Sequence, residues 1–160
     1  YPLKAGDKLS IGPRAKGLFL FNPKYINHVM IGTVTGITPY LSILRHYFET
    51  GGGKHRFFVL EGASYCDEFG YGDELQSLAN TQANVTFIPT ASRPDEKRNS
   101  NWKGEKGRVN TIIEKYLVDW NLDPKNTLIY TCGHPLMIED VKKRLAQSPF
   151  TLIEERFWAE

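Results

Sequence analysis

The sequence predicts an α/β fold in which a doubly wound, parallel sheet of about five strands carries helices on both faces. Short apolar runs typical of buried strands alternate along the chain with longer segments of helical periodicity. Glycine or proline residues mark several of the boundaries between these segments. Such alternation implies parallel strands joined by crossover helices, which cover both faces of the sheet.

Five strands and four helices follow one another, with one long loop before the third helix. The strands are predicted at residues 28–31, 56–60, 85–88, 128–131 and 150–157. The helices are predicted at residues 39–50, 72–79, 109–120 and 135–147. Pro39 suits the first turn of a helix, where a backbone N–H is not needed, and the glycines at 51–53 end that helix. Residues 95–106 are polar and lack periodicity, which predicts a loop.

The first 22 residues differ from the rest of the chain. Residues 4–7 indicate a turn, and residues 8–11 alternate like a short strand that Gly12 and Pro13 end. No helix is available for this segment to pack on, so we predict that residues 1–22 are the tail of a preceding domain or a linker. Residues 23–160 form the main domain. Because the sequence starts with neither a signal peptide nor methionine, we expect it to be part of a longer protein.

Composition argues against several classes of function. The net charge is +2, with both signs spread along the chain, so we expect no nucleic-acid or membrane-surface partner. No apolar run approaches the roughly 20 residues that a membrane span needs. Cys66 and Cys132 lie far apart and are interpreted as reduced thiols of a cytoplasmic protein. The four histidines lack metal-ligand spacing, so we expect no metal site.

Two strand-to-helix junctions carry residues suited to binding a phosphate. The first reads Gly32, Thr33, Val34, Thr35, Gly36, Ile37, Thr38 and Pro39. The second reads Thr131, Cys132, Gly133, His134 and Pro135. Small residues let backbone N–H groups approach an anion, and a helix N-terminus favours negative charge. The first junction is not the G-x-G-x-x-G fingerprint, and a tight turn without a ligand is equally compatible with it.

Both junctions are expected at the carboxyl edge of the sheet, where ligands bind in such folds. Their proximity strengthens the prediction of a binding site. The Cys132 thiol has two possible places: it faces a ligand ring, or it is a small residue of the core, the commoner outcome for a lone cysteine. His134 is the only histidine with a place near such a ligand.

A third group of residues is suited to a phosphomonoester. Ser92 and Arg93 follow the strand at 85–88, and Arg108 lies beyond the predicted loop. A hydroxyl and two guanidinium groups near a strand end can hold such a group through charge-assisted hydrogen bonds. The alternative is that both arginines are solvated loop charges, paired with Asp95 or Glu105.

Two adjacent aromatic residues, Phe157 and Trp158, lie near the end of the sequence, shortly after Glu155. Exposed aromatic pairs are unusual, so we expect them to be buried against something. A planar ligand ring is one candidate, and closure of the core is the other.

Taken together, these stretches resemble the NAD(P)-binding domain of the ferredoxin–NADP reductase superfamily, and the resemblance covers nearly the whole chain. The matching segments are residues 32–44, which resemble the G-T-G-T-G-x-x-P loop and its helix, residues 64–75 after the second strand, residues 90–93 (T-x-S-R), residues 132–135 (C-G-x-P) and residues 155–158, which resemble the bacterial E-x-Y-W ending. Residues 4–19 resemble the end of the family's flavin domain.

Three departures accompany the resemblance. Val34 lies at a position usually held by glycine, and Phe157 lies where tyrosine is common. The family's flavin-binding R-x-Y-S motif is absent from the sequence, so we expect the chain not to hold FAD tightly by itself.

The resemblance implies hydride transfer between NADP(H) and FAD in the full-length enzyme, with ferredoxin or flavodoxin as the electron-transfer partner. The residues expected to bind the nucleotide are Gly32, Thr33, Val34, Thr35, Gly36, Pro39, Ser92, Arg93, Arg108, Cys132, Gly133, His134 and Pro135. The residues expected to act beside the nicotinamide and flavin rings are Cys132, Glu155, Phe157 and Trp158.

NADP is expected rather than NAD, because Arg93 and Arg108 bracket a plausible phosphate site and no acidic residue stands at Ser92. Two alternatives stay open. One is an NADH-dependent reductase component of an oxygenase or hydrogenase. The other is a non-catalytic nucleotide-binding or docking domain, which Val34 favours.

Overall fold

The computed structural model describes residues 3–13 and 17–156. The strands are β1 (Asn27–Thr33), β2 (Arg56–Ala63), β3 (Val85–Ala91), β4 (Glu105–Lys106), β5 (Thr127–Cys132) and β6 (Thr151–Glu155). The α-helices are α1 (Thr38–Glu49), α2 (Gly72–Thr81), α3 (Val109–Asp119) and α4 (Pro135–Leu145). Short 3-10 turns occupy Val34–Ile37, Cys66–Glu68, Lys97–Asn99 and Pro124–Asn126.

The six strands form one parallel sheet in the order β4-β3-β2-β1-β5-β6. The central strands are buried on both faces, as their apolar sequences predict. The chain builds outward from β1 through β2 to β3, and later returns to place β5 on the other side of β1. The strand order therefore reverses between β1 and β5, and the crevice at their carboxyl ends is where such sheets bind ligands.

Each face of the sheet has its own apolar core. One core contains Leu41 and Leu44 of α1 together with Leu75 of α2, and the other contains Ile113 of α3 and Ile138 of α4. The helical periodicity of the sequence produces this arrangement, because residues three and four apart lie on one side of a helix. The predicted fold class, with helices on both faces, is confirmed.

Two details differ from the sequence prediction. The strand predicted at residues 8–11 is wrong: this segment has no regular structure, and Leu9 and Ile11 are 66% and 89% exposed. Within the described residues it has no partner strand, and an alternating pattern without a partner does not make a strand. The predicted loop at residues 95–106 contains one 3-10 turn and the two-residue strand β4, which pairs with β3.

The segment before β1 packs on the α1 side of the sheet. Phe19 is buried, and its ring lies 5.7 Å from the ring of Tyr40. Phe21 lies 5.0 Å from the His28 ring and 4.9 Å from the His55 ring. Residues that the sequence assigns to a preceding tail therefore contribute to this core. The division at residue 22 stays a prediction.

Candidate functional site

A cavity of about 670 Å³ opens at the carboxyl edge of the sheet. Its walls come from the ends of β1, β2 and β3 and from the first turns of α3 and α4. The lining residues are Thr33, Val34, Thr35, Gly62, Ala63, Ser64, Ser92, Arg93, Arg108, Val109, Asn110, His134, Leu136, Met137 and Asp140. Seven of the predicted nucleotide-binding residues are among them, although they come from four separate parts of the sequence.

The loop after β1 turns sharply into a 3-10 turn at Val34–Ile37 before α1 begins. Val34 has a φ of 47°, in the left-handed region that glycine adopts readily and a β-branched residue rarely does. This is the position where the sequence resemblance expects glycine. The backbone geometry of the loop is therefore kept, and the valine side chain adopts it under strain.

The turn between β5 and α4 packs directly against this loop. A Cβ atom on Gly36 would lie only 2.8 Å from the Cα of Gly133, so the two backbones touch there. Gly133 has a φ of 126° and has no room for a side chain against Thr33. The Thr33 hydroxyl also accepts a hydrogen bond of 2.9 Å from the His134 N–H. The two junctions form one rigid wall of the cavity.

Several predicted residues support this wall without lining the cavity. Gly32 is buried in β1, and Pro39 and Pro135 lie in the first turns of α1 and α4, where proline is favoured. His134 is the N-cap of α4, since its Nδ1 accepts a hydrogen bond of 3.2 Å from the Leu136 N–H. Its imidazole therefore has a structural role in addition to its place at the cavity.

The three residues predicted to hold a phosphomonoester lie together on the opposite side of the cavity. Ser92 and Arg93 follow β3, and Arg108 is the N-terminal flanking residue of α3. Arg93 contacts Glu96, not Asp95, with 3.5 Å between Nη1 and Oε1. Glu105 accepts hydrogen bonds from Lys115 and Tyr116, so it does not neutralise Arg108.

Two residues that the sequence did not single out organise the loops beside Arg93. Asn99 is buried, and its amide donates to the carbonyls of Ser64 and Arg93 at 2.9 and 2.8 Å. Its carbonyl accepts from the Cys66 N–H at 2.8 Å. The Tyr65 hydroxyl accepts a hydrogen bond from Arg93. These contacts join loops 31 to 35 residues apart, a separation that leaves no local signal in the sequence.

An acidic residue, Asp140, lies at the α4 side of the cavity. Its Oδ2 accepts hydrogen bonds from the Asn110 amide and from Arg144 Nε, at 2.5 and 2.6 Å. These two bonds hold the pKa of Asp140 below its usual range. The carboxylate charge is therefore compensated by neighbours on α3 and α4, and the cationic side chains Arg93 and Arg108 face the remaining space.

Cys132 and Glu155 do not line this cavity. Cys132 is fully buried in the α1-side core, so the core alternative describes it in this structure. Burial raises the pKa of its thiol to about 12, and the nearby Glu155 carboxylate adds to the effect. Glu155 Oε2 accepts hydrogen bonds of 3.1 Å from the N–H groups of Leu18 and Phe19. It thereby fastens the N-terminal segment to β6. Phe157 and Trp158 lie outside the described residues.

Glu61 is a second buried carboxyl group, located on β2 between Gly32 of β1 and Pro89 of β3. Within residues 3–13 and 17–156, neither of its carboxylate oxygens has a hydrogen-bond partner. Burial raises its pKa from 4.5 to about 8, so the group is mainly protonated at neutral pH.

The part of the chain that the structure describes contains no cluster of three or more His, Cys, Asp or Glu side chains that could hold a metal ion. Among the described helices, none has both the length and the apolar character needed to cross a membrane.

Comparison with known proteins assigns the fold and its edge cavity to a family. Residues 30–143 match the family described as the oxidoreductase NAD-binding domain. The chain belongs to this family. The resemblance deduced from the sequence motifs is thereby confirmed, and the cavity lies where NAD-binding sheets of this kind hold their ligand.

Three curated relatives show what this NAD-binding domain is similar to. It is 33% identical over 155 residues to the chloroplastic root-type ferredoxin–NADP reductase of Nicotiana tabacum, covering 90% of the chain and 40% of that relative. It is 28% identical over 138 residues to the cyanelle ferredoxin–NADP reductase of Cyanophora paradoxa, covering 82% and 37%. It is 31% identical over 147 residues to a component of the Na⁺-translocating NADH-quinone reductase of Klebsiella pneumoniae, covering 91% and 35%. The chain thus spans 40% or less of each.

Two solved structures share the fold. A ferredoxin NADP⁺ reductase from Neisseria gonorrhoeae with bound FAD and NADP has a TM-score of 0.65 at 22% identity, covering 85% of this chain and 58% of that one. The CS-b5R domains of human Ncb5or in the NAD⁺ form have a TM-score of 0.72 at 18% identity, covering 87% and 39%. At these identities the likeness establishes the fold.

Proposed function

We propose that this NAD-binding domain belongs to an FAD-dependent ferredoxin or flavodoxin–NADP reductase, in which hydride passes between NADP(H) and FAD. One observation carries the proposal: the cavity brings the loop after β1, the turn before α4 and the pair Arg93 and Arg108 to one place. The names of the relatives from Nicotiana and Cyanophora support the same reaction.

The residues of the cavity fit a dinucleotide that carries an additional phosphate. Helices α3 and α4 both begin at the cavity, and the N-terminus of a helix favours an anion. Two guanidinium groups add positive charge, and arginine matches the geometry of phosphate oxygens. Asp140, the one carboxylate among the lining residues, is already bonded to Asn110 and Arg144.

In this proposal the backbone of residues 33–36 holds the pyrophosphate, and the Gly36–Gly133 contact keeps that loop in place. Ser92, Arg93 and Arg108 hold the 2′-phosphate. NADP(H), when bound, supplies the hydride chemistry. The neutral Cys132 thiol is assigned a packing role next to the nicotinamide and no role as a nucleophile, because the thiolate is the reactive form.

FAD is assigned to the part of the enzyme that carries the flavin-binding motif, which this sequence lacks. Residues 1–22 then connect to that part, and residues 23–160 bind the nucleotide. Ferredoxin or flavodoxin is the proposed electron-transfer partner. Both cysteines are free thiols, which is consistent with the cytoplasm as the proposed compartment.

An NADH-dependent reductase component is the second candidate. It is supported by the 31% identity to the component of an NADH-quinone reductase, and by the pairing of Arg93 with Glu96, which occupies part of the phosphate site.

Calorimetric titration with NADP⁺ and NAD⁺ separates the two candidates. We expect NADP⁺ to bind more tightly to the wild type, and Arg108→Ala to remove most of that preference. Arg45→Ala is the matched control, because Arg45 is an exposed arginine that pairs with Glu74 outside the cavity. Tighter binding of NAD⁺ favours the second candidate. Failure to bind either nucleotide contradicts both.

A further inference from the structure

Arg93 is engaged by two residues outside the cavity wall. Its Nη1 donates a hydrogen bond of 2.8 Å to the Tyr65 hydroxyl, and that hydroxyl donates one of 2.6 Å to Glu96 Oε2. The other carboxylate oxygen of Glu96 lies 3.5 Å from Arg93 Nη1. One carboxylate therefore reaches the guanidinium both directly and through Tyr65.

The Glu96 carboxylate is held where it is because its partner Tyr65 is fixed. The Arg98 guanidinium lies 4.1 Å from the centre of the Tyr65 ring and pairs with Asp67 at 2.8 Å. The Tyr65 N–H donates to Glu68 Oε2 at 3.1 Å, within the turn that follows β2. These contacts position the tyrosine hydroxyl between Arg93 and Glu96.

Arg108, on the other side of the same phosphate site, differs from Arg93. Within the described residues its side chain takes part in no ion pair. The two guanidinium groups that line the cavity are therefore unequal: Arg108 is available to an anion, and Arg93 already contacts one.

We propose that Glu96 is a specificity-determining residue that lowers the preference of this domain for NADP over NAD. The inference rests on the proposed function, in which Arg93 binds the 2′-phosphate of NADP. That phosphate carries a charge of about −1.5 to −2 and meets a carboxylate already present at the same guanidinium. NAD has an uncharged hydroxyl at this position, so Glu96 affects NADP alone.

The size of the effect follows from the exposure of the pair. Arg93 and Glu96 side chains are 54% and 51% exposed, so solvent screens their interaction strongly. A like charge at a few ångströms in such surroundings changes affinity by about three- to tenfold, and salt reduces the change.

The test is titration of the 160-residue chain with NADP⁺ and NAD⁺ at low and high salt, comparing Glu96→Gln with the wild type. Glutamine keeps an oxygen that accepts the Tyr65 hydrogen bond and removes only the charge. Glu74→Gln is the control, because Glu74 pairs with Arg45 away from the cavity. We expect Glu96→Gln to bind NADP⁺ about three- to tenfold more tightly at low salt, with NAD⁺ changed less than about twofold. The gain for NADP⁺ shrinks at high salt, and Glu74→Gln changes neither affinity.

Unchanged or weaker NADP⁺ binding by Glu96→Gln, in a variant with wild-type thermal stability, overturns the inference and leaves the proposed function standing. An equal gain for NAD⁺ overturns it as well, since the effect then does not involve the 2′-phosphate. A wild-type chain that binds neither nucleotide overturns the proposed function and this inference together.

Discussion

Glu61 is a buried carboxyl group whose ionisation is expected to govern how the stability of this domain changes with pH. The substitution Glu61→Gln removes the titration and keeps the shape of the side chain. Below pH 4.5 the wild-type group is protonated in both the folded and the unfolded chain. Above pH 4.5 it ionises in the unfolded chain, whereas the folded chain keeps the proton until about pH 8. The folded state therefore loses stability as pH rises through this interval.

The magnitude follows from the interval between the two pKa values, 4.5 and about 8. Each pH unit in which only the unfolded state is ionised lowers the free energy of unfolding by about 1.4 kcal/mol, so the full loss is about 5 kcal/mol.

His28 acts in the opposite direction over part of this range. Burial lowers its pKa from 6.5 to about 4, so the folded state gains stability as pH rises from 4 to 6.5. The two effects largely cancel below pH 6.5. Between pH 6.5 and 8 the Glu61 effect acts alone and lowers stability by about 2 kcal/mol.

Urea unfolding of the wild type and of Glu61→Gln, followed by tryptophan fluorescence from pH 4.5 to 9, measures this effect. We expect the difference between the two free energies of unfolding to increase with pH and to level off above pH 8. A difference that stays constant over the whole range refutes the reasoning, because it means that Glu61 ionises normally in the folded state.

Three further substitutions test the construction of the site. Val34→Gly is expected to stabilise the chain by about 1 kcal/mol in thermal unfolding, because relief of the left-handed φ exceeds the added flexibility of glycine. Gly36→Ala is expected to destabilise it by about 2 kcal/mol or more and to abolish nucleotide binding in calorimetry, because its Cβ would lie 2.7 Å from the Cys132 carbonyl carbon. Asn99→Ala leaves three partly buried backbone groups without their partner and is expected to cost about 2–4 kcal/mol in urea unfolding. Unchanged stability in any of the three contradicts the contact concerned.

Most of the fold could be predicted from the sequence, because its signals are local. Apolar runs and helical spacing lie within single segments, and all four α-helices begin within one residue of their predicted starts. The strand β4 was missed, because two residues at a sheet edge carry no periodicity. The false strand at residues 8–11 shows the converse: alternation is present, but a strand also needs a neighbour that only the folded chain provides.

The position of the site was predictable for a similar reason. Parallel strands bring their carboxyl ends to one edge, so residues after β1, β3 and β5 had to come together. The contacts around Tyr65, Glu96 and Asn99 were not predictable, because they join loops that are remote in sequence. The burial of Cys132 had a signal that was overlooked. Alternation along β5 places it on the same face as Leu128 and Tyr130, which are core residues.

The measurement that tests the site most directly is mapping of backbone amide chemical shifts by NMR during addition of NADP⁺ and of NAD⁺. We expect both nucleotides to shift the amides of Thr33, Thr35 and His134, and NADP⁺ alone to add large shifts at Ser92 and Arg93. Shifts confined to the other concave surface, the cavity of about 430 Å³ beside α1, with the amides after β1 and β3 unchanged, contradict the assignment of this edge of the sheet as the nucleotide site.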